Sequence, residues 1–273
     1  MIDRQPHGRA VFCGAIVSAE ALVVPWSDPA AQWGLGVFET IAVRGLRPRR
    51  LGDHLLRLAA AAHRLAVPLP APSELQHAAR TVADELGGEP GWLKIAASRS
   101  GQWAVFGGRL DPEEIGRSVA AIVLPWRRHR LDPTVGIKSL GYAPSIMGLE
   151  EARRRGADEG FWLNERGHVI GGSTGNVFVV RGRSAVTPKL SDGARDGVMR
   201  ARALSSLRRF GLAVRQSKVR ILTLRGADEV FLTSSLCGIR PVLRIDGRSV
   251  RTGEPGTISR RLAAAIDEER DDA

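Results

Sequence analysis

Apolar residues return every three or four positions over residues 53–65, where Leu55, Leu58, Ala62 and Leu65 share one face. That spacing predicts an amphipathic helix with Asp53 as its N-cap. A second helix is predicted over residues 73–86, with Ser73 capping, Glu74 in its first turn and Gly87-Gly88 ending it. Runs rich in Val and Ile predict strands: a hairpin pair within residues 11–24, a strand over 37–43 closed by a turn at Arg44-Gly45, and strands over 93–98 and 118–124. Residues 100–114, holding glycines and an aromatic pair, are predicted as a loop near function.

Residues 125–133 are polar and bounded by prolines, which marks a linker. The expected organisation is a smaller N-terminal α+β domain over 1–122, a linker over 123–133 and a larger C-terminal domain over 134–273. In the second half, strands are predicted over 135–140, 160–163, 168–170, 176–181, 212–216 and 229–233. Helices are predicted over 146–155, 197–210 and about 257–270. The fold class is therefore α+β in two parts.

At 273 residues the chain is long enough for two modest domains. No apolar run approaches the roughly 18 residues that span a bilayer. Met1-Ile2-Asp3-Arg4 lacks the order of a signal peptide, and two cysteines do not make a disulfide framework, so a cytoplasmic protein with no membrane partner is expected. The net charge of +11 raises the question of nucleic acid, but the arginines are spread along the chain and aromatic content is 5%. No nucleic-acid partner and no metal are expected. Part of the charge can serve as a field for an anionic substrate or cofactor.

The cations are themselves informative: 36 are arginine and only four are lysine, at 94, 138, 189 and 218. Arginine covers most needs for positive surface charge but cannot supply an amine that deprotonates and attacks a carbonyl. Lys138 has the best context, after the apolar Val135-Gly136-Ile137 and four residues before Tyr142, the sole tyrosine. Lys94, Lys189 and Lys218 read as structural or solvated.

Several segments then fall into one order: Gly36-Val37-Phe38-Glu39-Thr40, His54-Leu55-Leu56-Arg57-Leu58, Lys138 with Tyr142, Gly172-Ser173-Thr174-Gly175-Asn176-Val177-Phe178, Thr187-Pro188, Gly197-Val198-Met199-Arg200, and Asp228 through Ser235. This series resembles the class IV (fold type IV) pyridoxal-phosphate enzymes, which include branched-chain and D-amino-acid aminotransferases and aminodeoxychorismate lyase. The resemblance covers roughly residues 11–245. It implies the two-domain architecture of the D-amino-acid aminotransferases with the cofactor cleft between domains, and a homodimer whose partner loop completes that cleft.

The resemblance also implies roles. Lys138 holds pyridoxal 5'-phosphate as a Schiff base and shuttles the substrate's α-proton. Tyr142 lies near the cofactor's 3-oxygen, Arg57 grips the phosphate bidentately, and the backbone N–H groups of Val198 and Met199 and the hydroxyl of Ser235 complete the phosphate seat. Phe38 and Arg99 are the substrate-binding candidates, with Arg240 a weaker one.

One position departs from the pattern. The glutamate that faces the pyridine nitrogen in the family is replaced here by Gly171, which weakens the cofactor as an electron sink. Three outcomes stay open: a reaction that asks less of the sink, an acid supplied from another segment, or loss of the cofactor. Ser234-Ser235-Leu236 stands where aminotransferases tend to carry Gly-Thr-Ala, which favours the lyase branch and a small anionic amino-acid-like substrate. An aminotransferase acting on a hydrophobic or D-amino acid is the alternative.

Overall fold

The computed structural model describes residues 5–268, which form two compact units. One is the chain as far as Pro112 together with Ile137–Tyr142; the other is Glu113–Gly136 and the chain from Ala143 onward. The division thus falls earlier than residues 123–133, and Lys138 belongs with the first unit rather than the second. Strand pairing is the cause. The strand after Glu113 runs on through Arg128, well into the expected linker, while Ile137–Tyr142 hydrogen-bonds to a strand of the first unit.

The first unit contains β1 (Arg9–Phe12), β2 (Ala15–Ser18), α1 (Pro29–Trp33), β3 (Gly36–Arg44), β4 (Arg47–Pro48), α2 (Leu51–Leu65), α3 (Pro72–Asp84), β5 (Gly91–Ser98) and β6 (Trp103–Arg109). The strands form one sheet in the order β2-β1-β6-β5-β3-β4, every pair antiparallel. Alternation along β3 and β5 gives the sheet two different faces. Val37, Ile41, Val43, Leu93 and Ile95 point to one face and pack with Leu55, Leu58 and Ala62 of α2 and with Ala78, Ala79 and Val82 of α3. Phe38, Thr40, Lys94 and Ala96 point to the other.

Both helices begin before the residues expected to cap them. α2 starts at Leu51 after Arg50, which sits in the left-handed region at φ 55°, and Asp53 lies in the first turn, where its charge suits the helix dipole. α3 starts at Pro72, whose fixed φ suits the first helical position, so Ser73 is inside the helix. Glu74 accepts a hydrogen bond from the Ala71 N–H at 2.9 Å, supplying the cap from the third position. The predicted loop over 100–114 holds β6, because Gly107 and Gly108 are strand residues lying close against Trp92 of β5.

The second unit contains β7 (Val119–Arg128), α4 (Ala143–Arg154), β8 (Glu159–Asn164), β9 (Val169–Gly172), β10 (Asn176–Arg181), β11 (Ser184–Pro188), α5 (Val198–Arg209), β12 (Ala213–Ser217), α6 (Ile221–Arg225), β13 (Glu229–Ser234), β14 (Gly238–Ile245), β15 (Arg248–Ser249) and α7 (Thr257–Glu268). Its nine-stranded sheet runs β12-β11-β10-β13-β14-β7-β8-β9, with β15 paired to β14. The sheet is mixed: β11/β12, β14/β7 and β7/β8 are parallel. The last two residues of the predicted C-terminal helix lie outside the described residues. Among the described residues no helix is long and apolar enough to cross a membrane.

Candidate active site

Lys138 owes its position to backbone pairing, not to a strand of its own. The expected strand over 135–140 is interrupted by Gly136, at φ 79°, and only Ser139 bridges to Val37. The Phe38 N–H donates to the Lys138 carbonyl at 2.9 Å and the Leu140 N–H to the Gly36 carbonyl at 2.9 Å. This approach depends on missing side chains. A Cβ on Gly34 would stand 2.7 Å from the Gly141 Cα, and one on Gly36 would collide with Leu140 Cδ1, so larger residues there would push the lysine segment off β3.

The segment delivers Lys138 to the sheet face opposite α2 and α3. Its Nζ is 4.3 Å from the centre of the Phe38 ring and 5.4 Å from that of Tyr142. Phe38 and Tyr142 meet edge to face with centroids 5.0 Å apart. Lys94 joins them, with its Nζ 4.5 Å from the Phe38 centre and 6.0 Å from that of Phe106. Burial pushes the Lys94 ammonium pKa down, and the nearby Tyr142 works against that. Lys94, expected to be structural or solvated, is half-buried over the same ring as Lys138, whereas Lys189 and Lys218 are exposed.

On the other face of β3 a carboxylate sits inside the apolar core. Glu39 accepts from Arg57 Nε at 2.7 Å and Arg57 Nη2 at 2.6 Å, and its Oε2 is 2.8 Å from His54 Nδ1. Burial raises its pKa, but the His54 and Arg57 hydrogen bonds outweigh burial and take the carboxyl down to about 2. Burial depresses the His54 pKa, so the ring is neutral at pH 7 and donates its Nδ1 proton to the ionised Glu39. The Nε and Nη2 fork of Arg57, expected to grip a phosphate, is occupied by Glu39. The signal for Glu39 was a charge within an otherwise apolar alternation, and its partners lie 15 and 18 residues away along the chain.

Arg99 lies exposed in the turn between β5 and β6, its backbone N–H donating to the Leu35 carbonyl at 3.0 Å. Arg240 is the weaker candidate for a substrate carboxylate. It is buried in β14 with Nε donating to the Arg117 carbonyl at 3.4 Å, and Glu159 feels its charge.

In the second unit, Val198 and Met199 are the first residues of α5, and the preceding Gly197 offers no side chain to cap their N–H groups. Asn176 fixes this helix start: its Nδ2 donates to the Arg195 carbonyl at 2.8 Å, and its Oδ1 fills the space a Gly197 Cβ would need. The Met199 side chain packs into the core with Phe178 and Ala203, which leaves only its backbone N–H to face an anion. Ser235 is half-buried in the turn between β13 and β14.

Gly171 pairs with Trp162 in the β8/β9 ladder at φ 151°, a backbone conformation that L side chains rarely adopt. A Cβ there would also stand 3.2 Å from the Gly175 carbonyl oxygen. Glu159 is the buried acid beside this segment. It is fully buried, accepting from Thr174 Oγ1 at 2.6 Å and from the N–H groups of Ser173 and Gly160 at 2.9 and 3.0 Å. Burial raises its pKa against those bonds and the charge of Arg240.

In the first unit a primary amine beside two aromatic rings, with an arginine on the same strand-and-helix pair, has the chemistry for an aldehyde and an anion; in the second, a hydroxyl and an uncapped helix start have the chemistry for a phosphate. The ring-nitrogen end has no carboxylate at position 171. Comparison with known proteins points the same way. The family model for amino-transferase class IV matches residues 36–245. A provisionally named branched-chain-amino-acid aminotransferase of Methanocaldococcus jannaschii is 26% identical over 91% of this chain and 92% of its own. The T.th. branched-chain amino acid aminotransferase, solved with N-(5'-phosphopyridoxyl)-L-glutamate, superposes with TM-score 0.88 at 26% identity over 96% of this chain and 93% of its own. A provisionally named 4-amino-4-deoxychorismate lyase of Legionella pneumophila shares the fold, with TM-score 0.81 at 24% identity over 91% of this chain and 96% of its own.

Proposed function

This chain belongs to the amino-transferase class IV family, and within it we propose a pyridoxal 5'-phosphate-dependent lyase that converts 4-amino-4-deoxychorismate to 4-aminobenzoate and pyruvate. Pyridoxal phosphate, when bound, supplies an electron sink for the carbon bearing the substrate's amine. Lys138 is the amine that holds the cofactor, and its Nζ carries the proton taken from that carbon. Phe38 and Tyr142 wall this amine on one side, and the Tyr142 phenol is assigned to the cofactor's 3-oxygen. The N–H groups of Val198 and Met199, the Ser235 hydroxyl and the Arg57 guanidinium are assigned to the phosphate. Arg99 takes a substrate carboxylate, and Phe38 packs on its ring.

Gly171 carries the choice of reaction. With no acid at that position and a backbone adapted to glycine, the sink is weaker. Loss of a ring proton and of the side chain as pyruvate leaves an aromatic ring, and that gain offsets part of the lost electron withdrawal. The second reading, an aminotransferase on a hydrophobic or D-amino acid, is favoured by the M. jannaschii relative, which matches over nearly the whole chain.

Incubation with 4-amino-4-deoxychorismate separates the two. Equal amounts of pyruvate and 4-aminobenzoate, with no conversion of the cofactor to its pyridoxamine form by a panel of amino acids, is the expected result. Conversion by amino acids without release of 4-aminobenzoate would replace the lyase with the aminotransferase.

We also propose that a second copy of the chain is the partner. In the first unit Val23, Val24, Trp26 and Trp33 are all exposed, Trp26 at 86%, an apolar run that a lone chain rarely leaves to water. Sedimentation at micromolar concentration is expected to give the mass of two chains, and Trp26→Asp to shift it toward one. A one-chain mass for the parent would overturn this.

A further inference from the structure

Asp28 is a buried carboxylate that the proposed reaction does not use, and both of its oxygens are engaged. Oδ1 accepts from the Ala30 N–H at 2.7 Å, which caps α1, and also from the Ser98 hydroxyl. Oδ2 accepts from the Ser100 hydroxyl at 2.5 Å. A helix cap needs only one side-chain oxygen and one backbone donor. The two serines go beyond that need, and they are the neighbours of Arg99 on either side. Burial pushes the Asp28 pKa up, but the bonds from Ser100, Ser98 and Ala30 outweigh it and hold the carboxyl below its ordinary range. The acceptor is therefore ionised at neutral pH, which makes each of these bonds stronger than one between neutral groups.

The Arg99 backbone is tied down from another direction as well. Its N–H donates to the Leu35 carbonyl at 3.0 Å, and the Gly101 N–H closes the turn on the Ser98 carbonyl at 3.0 Å. The strip Gly34-Leu35-Gly36 that receives Arg99 also receives the lysine segment, with the Leu140 N–H donating to Gly36 at 2.9 Å and the Gly141 N–H to Gly34 at 3.2 Å. The Arg99 side chain is exposed, and among the described residues its guanidinium has no hydrogen bond or ion pair. The turn is fixed while the cation is left free, so an anion that binds there does not have to order the turn.

We propose that Asp28 is a positioning residue: through Ser98 and Ser100 it fixes the turn that presents Arg99 to a carboxylate of the substrate. This rests on the reading of Arg99 as the group that takes that carboxylate. Preordering of this kind acts on substrate binding and not on the proton carried by Lys138, so its loss falls on KM.

Kinetics of the full chain loaded with pyridoxal phosphate, on 4-amino-4-deoxychorismate, test this, and trypsin cleavage after Arg99 gives a readout that needs no turnover. Arg99→Met is expected to raise KM about tenfold or more through loss of a charged hydrogen bond. Asp28→Asn and Ser100→Ala are each expected to raise KM about three- to tenfold, with kcat within about twofold of the parent. Added to Arg99→Met, Asp28→Asn should raise KM by less than about twofold more, because no guanidinium is left to position. Both variants should also be cut after Arg99 severalfold faster under native conditions, with cleavage after other arginines unchanged. Ser100 is exposed, so its variant carries the test if Asp28→Asn does not fold. Unchanged KM and unchanged cleavage overturn the proposal. So does an Asp28→Asn effect fully additive with Arg99→Met, or faster cleavage throughout the chain, either of which means a general loss of structure. If Arg99→Met alone leaves KM unchanged, the reading of Arg99 falls and the proposal falls with it. If the parent does not turn the substrate over, the lyase reading falls, and the cleavage rates alone decide whether Asp28 holds the turn.

Discussion

Glu39→Gln is expected to lower the stability of the folded chain by about 3 kcal/mol at neutral pH, as read by chemical denaturation. The magnitude follows from a carboxyl held at about 2 instead of its usual 4.5, because His54 and Arg57 donate to it within the apolar core. The folded pKa lies below the unfolded one, so this contribution is fully present above about pH 4.5 and is lost as the pH falls from there toward 2. The parent should therefore lose stability over that window, and the glutamine variant should show a flatter acid limb. Equal stability at neutral pH with an unchanged acid limb would mean that the buried cluster does not hold α2 against β3.

Lys138→Ala is expected to reduce turnover by about a hundred- to ten-thousandfold on whichever substrate the chain accepts, the range typical of removing a positioned proton carrier. Lys138→Arg should be no better, because a guanidinium neither deprotonates nor attacks an aldehyde. Added methylamine should restore part of the alanine variant's rate by supplying a free amine in place of the missing one. Turnover within about tenfold of the parent in both variants would remove Lys138 from the reaction altogether.

The local parts of this architecture were legible in the chain. The helical spacing of Leu55, Leu58 and Ala62 located α2, and the apolar run after Gly36 located β3. The order of Phe38, Arg57, Lys138 and Tyr142 pointed to a shared site, and the structure gathers Phe38, Lys138 and Tyr142 on one face of one sheet. What stayed hidden is long-range. That Ile137–Tyr142 joins the first unit depends on Gly34 and Gly36 letting two backbones approach, which no periodicity encodes. The glycines of β6 read as loop because strand glycines that make room for a neighbouring residue look like turn glycines in one dimension. The caps of α2 and α3 were misplaced because Arg50 and Ala71 supply no side-chain oxygen: α2 begins at a left-handed residue and α3 is capped from its third position by Glu74. Arg240 and Lys94 show the same limit for charges: sequence placed Lys94 on a strand and Arg240 on no element, and only three-dimensional packing shows that one is buried within reach of the Glu159 carboxylate and the other stands over the ring that Lys138 also meets.

The most direct measurement is the absorption spectrum of the purified chain with pyridoxal phosphate before and after borohydride, with Lys138→Ala alongside. A visible band that forms with the parent, disappears on reduction and leaves a pyridoxyl group on Lys138, and that is absent from the alanine variant, is the expected result. No band in the parent, or the same band in both proteins, would contradict Lys138 as the amine that holds the cofactor.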